Sequence, residues 1–457
     1  LDMFHVGVKS LRLNELHLNT IGQNIANVNT PGYSRQRIVQ ETAESIDRGA
    51  YLVGSGVNLS TLERMRDNAM DTKFRKNNTE LGYWNRSSEK LSELESHITG
   101  ISTNLGDALD EFWNNWEAVS ENPSSSAERI SLFESTKNLT VNFNDFSEMI
   151  DDKRKEINNE IVNTANIINN ISSKLATLSH KIDIAESQGK NPNDLLDQFD
   201  IEIDKLSNYG EVNISKIDGK RVIYFGTDEI VHDGISKEVM AFSTTDEDEN
   251  YNAQIVWKDN YNKIGGLEKG ELNGLLDLRD NILTEYSDQI DNLANQMVEK
   301  INSIHKEGFS IDDPAHNGIL FFDEDTTGAG DIRISDELEL NPNKIAASLN
   351  GEEGDNRVAL QIAELRFEKT MDDKQSYNEY LNSIINKIGN NVSRYVNFKQ
   401  AYSDTATQIE NYRESVKGVS INEETANLIR FQQAYQASSK IISEANKVMS
   451  TVMGLVQ

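Results

Sequence analysis

The clearest candidate for binding chemistry in this sequence is a short acidic loop that could hold a metal ion. Asp323, Asp325 and Thr327 precede Gly328 with the spacing of the first ligands and the glycine of a calcium-binding EF-hand loop. Such a loop ends on a bidentate glutamate, and the residue at that position here is Ile334. The spacing therefore fails, and we predict no metal at this loop.

Two histidine and carboxylate groupings are the next candidates, because such pairs can transfer protons. His180 lies three residues before Asp183, and His316 follows Asp312 and Asp313 closely. Both groupings are also ordinary on a solvated surface. The seven histidines are dispersed, without a zinc-protease motif or a nucleophile elbow, and no glycine pattern for binding phosphates or dinucleotides occurs. The sequence therefore predicts no enzyme and no cofactor.

Charge and composition exclude several classes of partner. The 45 basic and 75 acidic residues give a formal net charge of -30, which repels nucleic acid and anionic membrane surfaces. The absence of cysteine excludes disulfides and thiolate chemistry. No apolar run approaches the roughly 20 residues that span a bilayer, and the amino terminus lacks the pattern of a secretory signal. We expect no nucleic-acid partner, no membrane partner and no export through the general secretory route.

The elements that would position any site are mostly helices, because apolar residues recur at alternating spacings of three and four. Only five prolines interrupt 457 residues. Interior helices are predicted over 63–97, 104–119, a long stretch ending near 189, 275–305 and 356–416. Residues 211–263 differ, since short β-prone runs alternate there with Asp-Gly turns, and this pattern predicts a small β domain inserted between helices.

The most regular apolar stripes lie at the two ends of the chain and have the heptad spacing of coiled coils. The apolar members of the first stripe are Phe4, Leu11, Leu18, Ile21, Ile25 and Val28. Those of the second are Leu428, Phe431, Tyr435, Ile442, Ala445, Met449, Val452 and Val456, after a possible capping box at Ser420 and Glu423. A helix with one apolar stripe needs a partner to cover it. The spacing leaves open whether that partner is the other end of the same chain or a neighbouring subunit.

These patterns predict a mainly α fold with a small inserted β domain, divided into three parts. A discontinuous terminal coiled-coil domain comprises residues 1–33 with 418–457. A long-helix bundle comprises 34–208 with 270–417, and the small β domain comprises 209–269.

The most specific segment is IGQNIANVNTPGYSRQR, residues 21–37, in which Asn29, Thr30, Pro31, Gly32 and Tyr33 end the first helix. Pro31 lacks an amide donor and disfavours helical geometry in the residue before it. This helix and turn resemble the signature shared by the flagellar axial proteins. Residues 418–455 and 275–309 are similar to the hook-associated members of that family.

The resemblance implies a structural subunit that polymerises at the junction of hook and filament and acts as an adaptor between them. It implies export through the flagellar type III channel to the extracellular flagellum. The implied partners are copies of itself, the hook protein, the next hook-associated protein on the filament side, and an export chaperone that binds the carboxyl-terminal helix. The alternatives are another axial protein such as the hook subunit, an unrelated coiled-coil adhesin, and an enzyme.

Overall fold

Long helices dominate the computed structural model, which describes residues 2–47, 49, 51–242, 253–313, 317–372 and 374–455. The α-helices of these residues are α1 (Asp2–Ala26), α2 (Asn68–Glu121), α3 (Ser126–Ser187), α4 (Asn193–Tyr209), α5 (Glu271–Asp277), α6 (Leu283–His305), α7 (Asp336–Leu340), α8 (Arg357–Glu364), α9 (Tyr377–Lys417) and α10 (Ile421–Leu455). A π-helical segment, Leu278–Ile282, joins α5 to α6 without a break, and Pro342–Lys344 form a short 3₁₀ turn.

The strands belong to two separate regions of the chain. The first region contains β1 (Gln36–Thr42), β2 (Ile46–Asp47), β3 (Leu52–Val53) and β4 (Val57–Arg64). There β1 pairs with β4 and β2 with β3, both antiparallel. The second region contains β5 (Val212–Ile217), β6 (Lys220–Phe225), β7 (Asp228–His232), β8 (Ile235–Ser236), β9 (Val239–Phe242) and β10 (Gln254–Trp257). Strands β5 to β8 form a meander in sequence order, and β9 pairs with β10.

Side-chain caps mark where the longest helices begin. Asp67 accepts hydrogen bonds from the backbone of the first turn of α2, and Ser125 does so for α3. Ser376 and Glu379 form a complete capping box at the start of α9. Helix α2 continues through Gly100, where the sequence predicted two helices, because the buried side chains of Ile98 and Leu105 hold both sides of it against the bundle.

One hydrophobic core runs through the long helices, where α2 packs against α9 and α3, and α6 packs against α3 and α9. An aromatic group lies within it: Phe112, Trp113 and Trp116 of α2 are fully buried, and Phe112 and Trp116 contact Phe321. The second strand region adds Ile223 and other apolar side chains to the same core. This core holds the bundle together independently of the two chain ends.

The predicted fold class is confirmed: the chain is mainly helical with a small β region between α4 and α5. Two differences are local. Residues 365–376 separate α8 from α9, whereas the sequence predicted one helical region there. Residues 36–64, which the sequence analysis placed with the helix bundle, form a ribbon of strands that packs against α1.

Candidate assembly interface

The two ends of the chain meet as an antiparallel helix pair, α1 against α10. The hydroxyl oxygens of Ser10 and Ser438 lie 3.0 Å apart, and Asn14 Nδ2 donates to Ser438 Oγ at 3.2 Å. The imidazole of His17 stacks on the ring of Phe431, with centroids 3.9 Å apart. Polar side chains inside such a seam specify one register at some cost in stability. The pairing of the ends is therefore specific in register.

A close backbone approach fixes the far end of this pair. Gly7 of α1 is buried, and a Cβ atom added to it would lie 2.9 Å from Ile442 Cγ1 and 3.3 Å from Ile441 Cγ2. A side chain at position 7 would push the helices apart, because real Cβ atoms do not approach other carbon atoms so closely. Glycine is therefore required where α1 crosses this part of α10.

The predicted stripe of α1 is divided between the seam and an adjacent open face. Ile21 is buried, whereas Phe4, Leu11, Leu18 and Ile25 are half-buried along one flank of the helix. Val28 lies beyond the end of α1, in the turn that follows, and is also half-buried. This flank leaves apolar surface that α10 of the same chain does not cover completely.

The stripe of α10 is covered over most of its length and open near its end. Leu428, Phe431, Tyr435, Ile442 and Ala445 are half-buried on the side that carries Ser438. Met449 and Val452 are exposed, and Val456 lies outside the described residues. Helix α1 begins at Asp2, and Ile442 already lies beside Gly7, so the last turns of α10 extend past the described start of α1.

The predicted turn after α1 packs against the first turns of α4. Asn29, Thr30 and Pro31 are exposed, whereas Gly32 and Tyr33 are half-buried. Gly32 has a φ of +78°, and a Cβ added to it would lie 2.4 Å from Ile201 Cδ1. Both the backbone conformation and the contact with Ile201 therefore favour glycine here.

Asn24 connects the helix pair to this turn, although the sequence analysis did not single it out. It is 1% exposed. Its amide nitrogen donates to Glu424 Oε2 at 3.2 Å and to the Gln36 carbonyl oxygen at 3.0 Å, and its Oδ1 accepts from the Tyr33 hydroxyl at 2.9 Å. Arg35 adds ion pairs to Glu424 at 2.7 Å and to the exposed Glu423. The sequence did contain a signal for Asn24: it is a polar residue that follows the same spacing as the buried seam residues of α1.

Burial and nearby carboxylates perturb the titration of the turn tyrosine. Partial burial is the largest cause, followed by the negative charges of Asp194, Asp197 and Glu424, and together they raise the pKa of Tyr33 to about 12. The phenol therefore stays protonated and remains a hydrogen-bond donor to Asn24 at neutral pH.

Asp197 of α4 anchors the chain just after the turn. Its carboxylate accepts from the backbone nitrogen of Ser34 at 3.0 Å and from the hydroxyl of Ser34 at 2.6 Å. Arg64, at the end of β4, pairs with the same carboxylate at 2.8 Å. One residue of α4 thus joins the turn and the strand ribbon to the bundle.

A buried cluster of charges extends this connection to the start of α2 and the end of α9. Asp71 pairs with Arg66 and with Arg413, each at 2.8 Å, and Arg413 also pairs with Asp204 at 2.6 Å. Burial alone would raise the pKa of Asp71, but the hydrogen bond from Arg66 and the positive charges of Arg66 and Arg413 lower it. Because removing one member would leave a buried charge unpaired, the cluster holds the start of α2, α4 and the end of α9 together.

The acidic loop considered for calcium is occupied by internal contacts. Asp323 pairs with Arg333 at 2.9 Å and accepts from the backbone nitrogen of Asp325. The carboxylate of Asp331 accepts from the backbone nitrogens of Thr327 and Gly328. Within the described ranges, no group of three or more histidine or acidic side chains is placed to hold a metal ion.

In the histidine and carboxylate pair His180 and Asp183, the carboxylate is held by a structural contact. Asp183, three residues after His180, accepts a hydrogen bond from the backbone nitrogen of Arg221 at 3.1 Å and pairs with its guanidinium group. The grouping around His316 lies outside the described residues in part, since His316 itself is not described. Among the helices that the structure describes, none has a stretch apolar enough to cross a bilayer.

Comparison with family models gives three matches along the chain. The model "Flagellar hook-associated protein FlgK helical domain" matches residues 91–322. The model "Flagella basal body rod protein" matches residues 5–33, and "Flagellar basal body rod FlgEFG protein C-terminal" matches residues 415–455. The two terminal matches coincide with α1 and its turn and with α10.

Relatives resemble this chain over nearly all of its length. Flagellar hook-associated protein 1 of Bacillus subtilis is 26% identical, with 97% of this chain and 96% of the relative covered. The protein of the same name from Escherichia coli is 23% identical, with 99% and 100% covered. The solved structure of the flagellar hook junction protein FlgK from Burkholderia pseudomallei matches with a TM-score of 0.65 at 14% identity, covering 76% of this chain and 100% of that one. That structural likeness shows the fold alone. Since the helical-domain model by itself matches more than half of the chain, this protein belongs to the FlgK family of flagellar hook-associated proteins.

Proposed function

We propose that this chain is a structural subunit that polymerises between the hook and the filament of the bacterial flagellum and acts as the adaptor there. The observation that carries the proposal is the antiparallel pair of α1 and α10, formed by chain ends about four hundred residues apart. Such a pair, with apolar surface left open on both helices, is suited to packing against copies of itself.

The assembly residues predicted from sequence fit this role as a proposal. Half-buried Leu11, Leu18 and Ile25 on α1 and exposed Met449 and Val452 on α10 would become buried when subunits pack together. Each fully buried aliphatic side chain contributes about 1.5 to 3 kcal/mol, so a few of them suffice to favour assembly. The proposal keeps the three parts of the chain that the sequence predicted. They are a terminal helical domain that assembles, a helix bundle that stays outside the assembled terminal domains, and a small β domain.

The proposed position between hook and filament also implies the partners of the subunit. In the proposal, the hook protein contacts the ring of subunits on one side and the next hook-associated protein contacts it on the filament side. Before export, a cytoplasmic chaperone covers the exposed apolar residues of α10, because such a surface promotes aggregation in a free subunit. After export through the type III channel, the subunit is part of the extracellular flagellum. The hook-subunit alternative is not carried forward, because the match over residues 91–322 is to a hook-associated protein. The proposed role is structural and includes no catalytic step.

Immunogold labelling tests the proposed position directly. An epitope placed in the exposed turn at Gly189, which follows α3, leaves the terminal pair unchanged. The proposal expects gold particles in a narrow band where the hook meets the filament. Label distributed along the hook or along the filament would contradict it.

A further inference from the structure

We infer that the open end of α10 of one subunit docks into a groove of a second copy, formed by α1, the turn and α4. This inference rests on the proposed self-assembly and names the two surfaces that would meet. We call the first surface the carboxyl-terminal stripe and define it as Ile441, Val448 and Val452. The second is the turn groove, lined by Leu18, Gly22, Ala26, Pro31 and Ile201.

The carboxyl-terminal stripe is apolar and exposed, most fully beyond Ile441. Ile441, Val448 and Val452 are 38%, 60% and 54% exposed and follow one another at helical spacing on one side of α10. The neighbouring Met449 and Met453 are 47% and 68% exposed. Ile441 lies next to Gly7 of α1, whereas no part of α1 within the described residues lies beside Val448 and Val452, so the chain itself leaves these two residues of the stripe open.

The turn groove has the shape that a helix needs for close approach. It is an open trough of about 760 Å³ between α1 and α4, with the turn between them. Gly22 lies inside α1, where glycine is unfavourable compared with alanine, and nothing lies within 4 Å of the position of a Cβ atom there. The fold of the isolated subunit therefore does not explain this glycine. An entering helix would explain it, because the missing side chain allows another backbone to approach.

The charges at the two surfaces are complementary. Asp194 of α4 lines the groove, accepts only from the side-chain amide of Gln36 and forms no ion pair with any described residue. Lys440 directly precedes the stripe and is exposed, and it also forms no ion pair among the residues that the structure describes. Bringing the stripe into the groove would place an unpaired cation near an unpaired carboxylate.

The two surfaces cannot meet within one subunit. In the antiparallel pair, Ile442 lies beside Gly7, so Val448 lies beyond the start of α1, whereas Gly22 lies near its other end. At about 1.5 Å per residue this separates them by about 33 Å along a continuous helix. A contact between two different surfaces of identical subunits is heterologous, and it closes into a ring or continues as a helix. Either result is compatible with a polymerising subunit.

Disulfide cross-linking tests this contact cleanly, because the chain contains no cysteine. The full chain with Gly22→Cys and Val448→Cys replaces the natural copy in flagellated cells, and isolated flagella are oxidised. The inference expects a ladder of covalent dimers and higher multimers that includes at least half of the subunits. The control chain combines Gly22→Cys with Gln432→Cys, an exposed position of α10 away from the stripe, and should give at least fivefold less cross-linked product.

The outcomes separate the inference from the proposed function. Motile cells without a ladder would overturn the docking and leave the junction role intact, and an internally cross-linked monomer would overturn it as well. If immunogold labelling places the protein elsewhere, a ladder in whatever polymer it forms still supports the contact, and its absence there refutes it. If Gly22→Cys blocks assembly, the pair Asn19→Cys and Val452→Cys is judged by the same criteria.

Charge reversal gives an independent check: Asp194→Lys and Lys440→Asp should each reduce attached filaments at least twofold, and the double variant should restore them. Failure of the double variant to restore them would contradict the proposed pairing.

Discussion

The imidazole of His17 and the ring of Phe431 are stacked nearly parallel, with 9° between their planes, although the two residues belong to opposite ends of the chain. Burial is the main reason that the pKa of His17 is lowered, and the nearby charge of Arg430 lowers it further, against a hydrogen bond with Gln40 that raises it. A neutral imidazole at this contact is consistent with a seam that stays paired at physiological pH.

The crossing of the terminal helices at Gly7 can be tested with a matched pair of substitutions. Gly7→Val would force a side chain into Ile442, whereas Gly22→Val enters open space on the same helix. We expect Gly7→Val to be more destabilising to the helix pair by about 1 to 3 kcal/mol, because overpacking forces the helices apart. Amide hydrogen exchange across residues 2–26 and 421–455 measures the difference. Equal protection in the two variants would show that the close approach is absent.

The turn glycine should be sensitive for two separable reasons. Gly32→Ala combines a positive φ with an overlap against Ile201, whereas Gly189→Ala has a φ of +71° and open space around the added methyl group. We expect about 1 kcal/mol of destabilisation for Gly189→Ala and at least about 2 kcal/mol for Gly32→Ala. The double variant Gly32→Ala with Ile201→Ala removes the overlap, so Gly32→Ala should cost less in that background. Urea titrations of the parent, Gly189→Ala, Gly32→Ala, Ile201→Ala and the double variant measure these differences, and identical costs for Gly32→Ala in both backgrounds would refute the role of Ile201.

Asp197 is expected to control the connection between the terminal pair and the bundle. Asp197→Ala leaves the backbone nitrogen and the hydroxyl of Ser34 without their acceptor and removes one of the two carboxylate partners of Arg64, which keeps Asp200 at 2.8 Å. These losses should cost about 2 to 4 kcal/mol locally. Limited proteolysis should then cut within residues 29–66 at least several-fold faster. The exposed neighbour Gln198→Ala serves as the control and should leave the cleavage rate unchanged. Equal rates in the two variants would show that this carboxylate does not anchor the segment.

How much of this could be read from the sequence differs between elements. The long apolar repeats identified the bundle helices and the two terminal helices, because a stripe at helical spacing has few alternative structures. They did not identify which face forms the seam. Gly7 and Asn14 in the buried seam and Leu11 and Leu18 on the flank recur with the same period of seven, so spacing alone cannot distinguish them.

Contacts between residues far apart in the chain could not be predicted from the sequence either. Asp71 meets Arg413 across 342 positions, and nothing in either local sequence indicates that partner. The ribbon of β1 and β4 was missed because its strands are largely exposed and lack a clean alternation of apolar and polar residues. The turn, by contrast, was recognised because Pro31 and Gly32 impose backbone geometry that the sequence states directly.

His305 predicts a specific pH dependence of stability in the bundle. The backbone nitrogen of Ala346 donates to Nε2 at 2.9 Å, and Nδ1 lies 2.8 Å from the carbonyl oxygen of Ile319, so the fully buried ring is neutral with its proton on Nδ1. Burial is the main cause that lowers the pKa of His305 to about 4. The unfolded chain binds a proton near the ordinary value of 6.5, while the folded chain does not. Stability is therefore lost as the pH falls from about 6.5 towards 4, by about 1.4 kcal/mol per unit and about 3 kcal/mol in total.

Nuclear magnetic resonance of histidine-labelled protein measures this pKa in the folded chain. The His305 resonance should remain that of a neutral imidazole at pH 5, and the free energy of unfolding of the parent should fall more between pH 7 and pH 5 than that of His305→Gln. A His305 titration near 6.5 would contradict the buried neutral ring.

Electron microscopy of cells that lack this protein shows whether the subunit joins the filament to the hook. We expect such cells to have hooks of normal length without filaments, to release filament subunits into the medium and to lose motility, with all three defects restored by the full chain. Normal filaments on the deletion cells would show that this subunit does not join the filament to the hook.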